Sequence, residues 1–289
     1  MTLEEILSVR PSPGQPRTYE FPACERTVLP SGLQVIAVDL PGRPLVAANL
    51  VVRRGAADEP ADMAGATILA ARAMTEGTKR YPGVELIEAG ERLGATLHVD
   101  ASWDAFTVSV DVAASRFRVA LELLAELADN PTFPEADVAR LCEERLNDLL
   151  QVKADPRRRV DQAFTSTLYT ADSPYGRPAA GNEESVPRLT PDVLRGVHRA
   201  IIDPRRMALI VGGDLTGLDV AGIAADVLGS LGGGRAPAAP AAPPAPPRAE
   251  TNIDHTIVRF YHRPGSVQTE LRIGHVGLPR RVEDFYSVQ

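Results

Sequence analysis

Gly65 to Thr78 reads GATILAARAMTEGT, one short helix held between two glycines. Ile68, Leu69 and Ala73 fall on one face of a 3.6-residue repeat and Arg72 on the other, the pattern of an amphipathic helix with its apolar stripe inward. Asp62 can cap this helix, expected over residues 63–75, and Gly77 ends it. Upstream, Glu25 to Val28 and Leu33 to Val38 flank Leu29-Pro30-Ser31-Gly32, a Pro/Gly turn between β-branched runs that predicts a hairpin. Leu45 to Val52 is a third strand candidate, and Gly55 to Pro60 a turn.

Downstream, Val84 to Leu93 is a short helix closed by Gly94, and residues 95–101 and 105–112 alternate as a strand pair. Residues 115–128 are helical, with Val119, Leu121, Leu123, Leu124 and Leu127 as the apolar set. Pro134 opens a longer helix running to about Lys153, where Asp155-Pro156 interrupts it. Helices are expected again at residues 157–169, 192–201 and 218–228, with a strand at 207–211. Antiparallel strands with helices packed on one face predict an α+β fold. No glycine-rich phosphate cradle sits at a strand-to-helix junction, which argues against a doubly wound nucleotide-binding sheet.

Ala236 to Pro247 contains only alanine and proline, a composition that makes a semi-rigid polyproline spacer. The expected organisation is an N-terminal arm over 1–20, an α+β domain over 21–235, a linker over 236–250, and over 251–289 the start of a second unit. Residues 256–261 and 268–276 are strand candidates in that last segment. Some 40 residues are too few for a core of their own.

The chain has 289 residues, 44% hydrophobic and 24% charged, an ordinary globular mix. A net charge of -7 gives no electrostatic reason to bind nucleic acid or an anionic membrane. No apolar run approaches the ~20 residues that span a bilayer, and the N-terminus does not read as a secretory signal, so a cytoplasmic location is expected. Cys24 and Cys142 are the only cysteines and are read as two buried thiols rather than a disulfide or metal pair.

Several segments, in order, resemble the pitrilysin/insulinase metallopeptidases. Gly65 to Thr78 is similar to that superfamily's G-x-x-H-x-x-E-H-x-x-x-x-G-T helix, whose two histidines bind zinc and whose glutamate is the general base. Leu29-Pro30-Ser31-Gly32-Leu33 resembles its L-x-N-G-L hairpin, and Gly55 to Glu59 its G-x-x-x-E turn. Phe133-Pro134 resembles the start of the helix that brings a third, glutamate ligand. Residues 173–178, SPYGRP, resemble the H-P-Y-G-x-P loop, and Ile210 to Asp214 the V-x-G-D strand end. Asp284-Phe285-Tyr286 resembles the first helix of a second homologous half.

Matched to that helix, the three chemical positions are Ile68, Ala71 and Arg72, and the third ligand falls near Asp148 or Glu144. An alkyl group and a methyl offer no lone pair, and a guanidinium repels Zn²⁺. The resemblance thus implies a peptidase fold with no catalytic residue, no metal and no cofactor. It implies a partner too: a separate active zinc-peptidase subunit, or a second copy, closing a chamber around unfolded peptide. The alternatives are a structural or assembly subunit, as in respiratory-complex core proteins of this superfamily, and a non-functional fragment.

Other residues have plainer readings. His255 and His262 bracket the first late strand candidate and His275 lies on the second; a cross-strand metal site is the alternative to a plain structural reading, but no carboxylate or cysteine joins them at ligand spacing. Glu143 and Glu144 beside Arg140 and Arg145 read as a solvated face rather than paired catalytic carboxylates. Asp155-Pro156-Arg157-Arg158-Arg159 reads as a solvated helix start before an anion or peptide-carboxylate site. Trp103 is read as a half-exposed turn aromatic with an interface anchor as the alternative. No G-x-S-x-G elbow supports serine-hydrolase chemistry.

Overall fold

The computed structural model describes residues 20–170, 172–233, 255–278 and 282–288, with single positions at 14, 15, 18, 253 and 280. The Ala/Pro linker and nearly all of the N-terminal arm lie outside the described residues. Six strands form one sheet: β1 (Glu25–Val28), β2 (Gln34–Asp39), β3 (Leu45–Val52), β4 (Thr96–Ala101), β5 (Phe106–Ala113) and β6 (Met207–Gly213). Their order is β1-β2-β6-β3-β5-β4. Every neighbouring pair is antiparallel except β2–β6, which is parallel. The β1–β2 and β4–β5 hairpins are therefore joined through β3 and the late strand β6 at the centre, a long-range pairing that periodicity cannot foretell.

The helices are α1 (Ala66–Met74), α2 (Val84–Leu93), α3 (Phe117–Asp129), α4 (Glu135–Ala154), α5 (Pro156–Leu168), α6 (Pro191–Ile201), α7 (Val220–Leu228) and the single turn α8 (Phe285–Val288). Strict alternation sends one set of strand side chains inward. Val46, Ala48, Leu50 and Val52 of β3, Phe106, Val108 and Val110 of β5, and Leu209 and Val211 of β6 are all buried. They meet Leu69, Ala73 and Met74 of α1 and Leu121, Leu124 and Leu127 of α3 in one apolar cluster. The opposite face runs in rows across the sheet, such as His98–Ser109–Asn49–Ile210. Its residues are half-buried or exposed, so one face is packed and the other open.

Most expected elements fall within one or two residues of their observed bounds. Three expectations need correction. The helix expected over 63–75 begins at Ala66, because Gly65 takes φ +97° and Asp62 lies in the short turn Ala61–Met63 before it. The strand candidates 256–261 and 268–276 form no ladder: extended chain needs a neighbouring strand to become a sheet, and no described strand pairs with them. They lie instead against α5, through the Arg272–Asp161 ion pair and Arg159 over the Tyr261 ring, and Arg263 between them donates from Nη1 to the Ala154 carbonyl at the end of α4 at 2.6 Å. Finally, Cys24 is exposed and Cys142 half-buried, so neither is a core thiol. Burial pushes the Cys142 thiol up from its ordinary value.

Candidate functional site

The carboxylate of Glu59 governs the N-terminus of α1. It accepts from Gly65 N at 2.9 Å and from Thr67 N, satisfying two of the amides that a helix start leaves unpaired. Burial raises the Glu59 carboxyl above its ordinary value, against these hydrogen bonds and the charge of Arg177. Arg177 donates to the Glu59 carbonyl, tying in the loop around Tyr175. The approach of that loop is close. A Cβ on Gly65 would sit 2.7 Å from the Ala180 carbonyl oxygen, and one on Gly181 2.4 Å from that of Ala64. Both glycines also have left-handed φ, so backbone shape and space require them together. Tyr175 donates to Asp104 at 2.6 Å, and burial followed by Asp104 raises its phenol well above the ordinary range.

Along α1, Ile68 is half-buried, Ala71 is buried and Arg72 is exposed. The inward reading of Leu69 and Ala73 and the outward one of Arg72 hold, while Ile68 sits at the boundary. Arg72 reaches across to α4 and binds Glu144 at 2.8 Å, and Arg140 holds the other Glu144 oxygen at 2.7 Å. The hydrogen bonds from Arg140 and Arg72 keep the Glu144 carboxyl below the usual range. Asp148, one turn on, is clasped by Arg145 at 2.5 Å and Arg158 at 2.7 Å. Burial pushes the Asp148 carboxyl up, and Arg158 and Arg145 more than reverse it. Arg145 behaves in the opposite sense. Burial lowers it first, and the like charges of Arg158 and Arg72 add to that, outweighing the attraction of Asp148.

A zinc ion does not fit this set. Its donors would be an alkyl group, a methyl and a guanidinium, and the two nearby carboxylates already carry arginines. Among the described residues no group of three or more His, Cys, Asp or Glu side chains gathers as a metal site. His255, His262 and His275 are exposed and lie on no strand; His262 stacks on Phe260 and His275 bonds to the Val276 carbonyl.

The helix α4 is less uniform than its sequence suggests. Glu143 and Glu144 do face solvent, but Arg145 points into the molecule and donates to the Ala180 and Gly181 carbonyls at 3.0 Å each. Asp155 caps α5 through Arg157 N and Arg158 N. Trp103 is half-exposed as expected and packs edge-on to Tyr175 at 5.5 Å. Sequence reasoning missed Glu59 as a cap and Arg145 as an interior cation. The G-x-x-x-E spacing was a visible signal for the first; the second depends on where the loop at 180–181 comes to rest.

A sheet backed on one face by helices, with a glycine-started helix set against a long helix bearing Glu144 and Asp148, is the arrangement of an inverted-zinc-motif peptidase fold. Residues 34–182, just over half of the chain, match Insulinase (Peptidase family M16), and the chain belongs to that family. It is 27% identical over 205 residues to an uncharacterized zinc protease of Mycobacterium leprae, covering 71% of this chain and 46% of that one. It is 24% identical over 172 residues to a non-peptidase homolog, YmxG, of Helicobacter pylori, covering 60% and 40%. The crystal structure of a peptidase M16 inactive domain from Pseudomonas fluorescens superposes with a TM-score of 0.69 at 24% identity, over 75% of this chain and 53% of that one. The chain spans about half the length of the curated relatives it matches.

Proposed function

We propose that this chain is a non-catalytic member of the M16 family that binds unfolded peptide as the partner of an active zinc-peptidase subunit. The observation that carries the reading is the Arg72–Glu144 ion pair. A fixed cation occupies a position where the family's metallopeptidases hold a zinc ligand, and it neutralises a carboxylate of the facing helix. Without imidazoles or a general base at Ile68, Ala71 and Arg72, water has nothing to activate it.

Peptide binding is supported by the open sheet face and by β4. No described strand pairs with the outer edge of β4, so its backbone groups can take an added strand. Residues 251–289 are read as the start of a second homologous unit. Val258, Phe260, Leu271 and Ile273 are exposed at alternating positions, as inner-face residues of an unpartnered strand pair would be. No described helix is long and apolar enough to cross a membrane. An exposed thiol at Cys24 suits a reducing, cytoplasmic setting.

The test is zinc content and peptide cleavage on one purified sample, repeated after mixing with a subunit that carries intact H-x-x-E-H. Sub-stoichiometric zinc and no cleavage alone, with cleavage gained on mixing, is the expected result. One tightly held zinc per chain, or cleavage by the chain alone, would overturn it.

A further inference from the structure

Between the last turns of α4, the start of α5, the loop at 176–178 and the β4–β5 turn lies a cleft of about 410 Å³. Leu149 and Val152 make its floor, Trp103 one wall, and Arg145, Arg158 and Arg177 bring three guanidiniums to it. The balance of charge around it is positive. Arg145 and Arg158 share one carboxylate, Asp148, while Arg177 donates to the Glu59 carbonyl and acts by charge on the Glu59 carboxyl, which burial shifts toward its neutral form. Asp161, the one acid lining the cleft, is already paired with Arg272. Arg145 spends three of its five N–H groups on Asp148, Ala180 and Gly181. Burial and the charges of Arg158 and Arg72 work against its ionised form, so an incoming anion would relieve a repulsion built into the site.

We propose that this cleft binds the free carboxylate at the C-terminus of a peptide. Planar guanidiniums match a carboxylate in bidentate fashion. An apolar floor and an aromatic wall beside them match the end of a chain, where the carboxylate and an apolar side chain branch from the same carbon. An internal Asp or Glu lacks that neighbouring apolar group. The inference deepens the peptide-binding reading above and rests on it.

Trp103 is the only tryptophan of the chain, so its fluorescence reports on this cleft directly. The full chain is titrated with three Trp-free pentapeptides ending in leucine: one with a free C-terminus, one amidated, and one amidated with an internal glutamate. Saturable change with the free acid, weakened about tenfold by either amidated peptide, is expected from the loss of a charge-assisted contact. Arg158→Gln weakens the free acid by a similar factor and leaves the amide unchanged, with Arg158→Lys intermediate. Circular dichroism confirms folding of each variant, and Arg177→Gln repeats the test from the opposite wall. Equal binding of acid and amide, or of Arg158→Gln and the parent, overturns the proposal, and binding of the glutamate peptide as tight as the free acid overturns its assignment to a C-terminus. Association with an active peptidase subunit is measured separately by size-exclusion chromatography. Loss of carboxylate binding with the partner retained defeats this inference alone; loss of the partner with carboxylate binding retained defeats the subunit reading.

Discussion

Arg72 converts a metal face into an ion-pair face while the backbone beneath it keeps its shape, and that separation can be tested. Ile68→His with Arg72→His places two imidazoles at i and i+4 on one helical face and removes one of the two guanidiniums on Glu144, leaving Arg140 on its other oxygen. The double variant is expected to bind about one zinc per chain, measured by metal analysis after dialysis; no bound zinc would mean that Arg140, Arg145 and Arg158 keep the carboxylates of α4 from the metal. His198 carries a second prediction at this scale. It is buried, bonded to the Ala128 carbonyl at 2.8 Å and packed edge-on to Phe133, and burial lowers its pKa below the ordinary 6.5. As pH falls through 6.5, the unfolded chain takes up the proton before the folded one. The stabilisation is therefore complete above 6.5 and is lost downward to the folded value. Urea midpoints between pH 7.5 and 5.5 are expected to fall in the parent and to fall less in His198→Gln.

At the scale of an element, α1 depends on contacts made outside its own sequence. Glu59, six residues before Gly65, supplies the cap, so Glu59→Ala should cost about 0.5–2 kcal/mol, read from urea denaturation. Glu59→Gln should cost less, because an amide oxygen still accepts a bond and the buried charge is gone. Gly65→Ala forces a left-handed φ on a side chain and drives its Cβ toward the Ala180 carbonyl. It should cost about 1–3 kcal/mol and loosen the 175–181 loop, seen as faster amide exchange there. The periodicity of α1, α3 and α6 was legible because each buries a continuous stripe, α1 and α3 on the sheet and α6 on α1. The true start of α1 was not, because the competition between Asp62 and Glu59 is settled by a loop more than a hundred residues away.

For the whole molecule, stability resides in the buried face of the sheet. Leu50 lies opposite Val108 on one side and Leu209 on the other, fully buried, so Leu50→Ala should cost about 2–5 kcal/mol. On the subunit reading proposed above, the exposed apolar residues of 256–276 serve association rather than stability. Phe260→Ser should therefore weaken self-association or partner capture in sedimentation without moving the urea midpoint of the core.

The sequence by itself determined the α+β class, nearly every element, most of the buried set (though not Cys24, Val119 or Ile68), and the identities at 68, 71 and 72 that leave zinc without donors. These are local properties: a repeat of two or 3.6, a proline or glycine stop, the presence or absence of a lone pair. Only the tertiary structure decided that β6 enters the sheet beside β2 in parallel and that Glu59 caps α1. It alone turned Arg145 inward to share Asp148 with Arg158, and left residues 256–276 extended against α5. Each of these joins residues far apart in the chain, where packing and charge pairing, not spacing, fix the outcome.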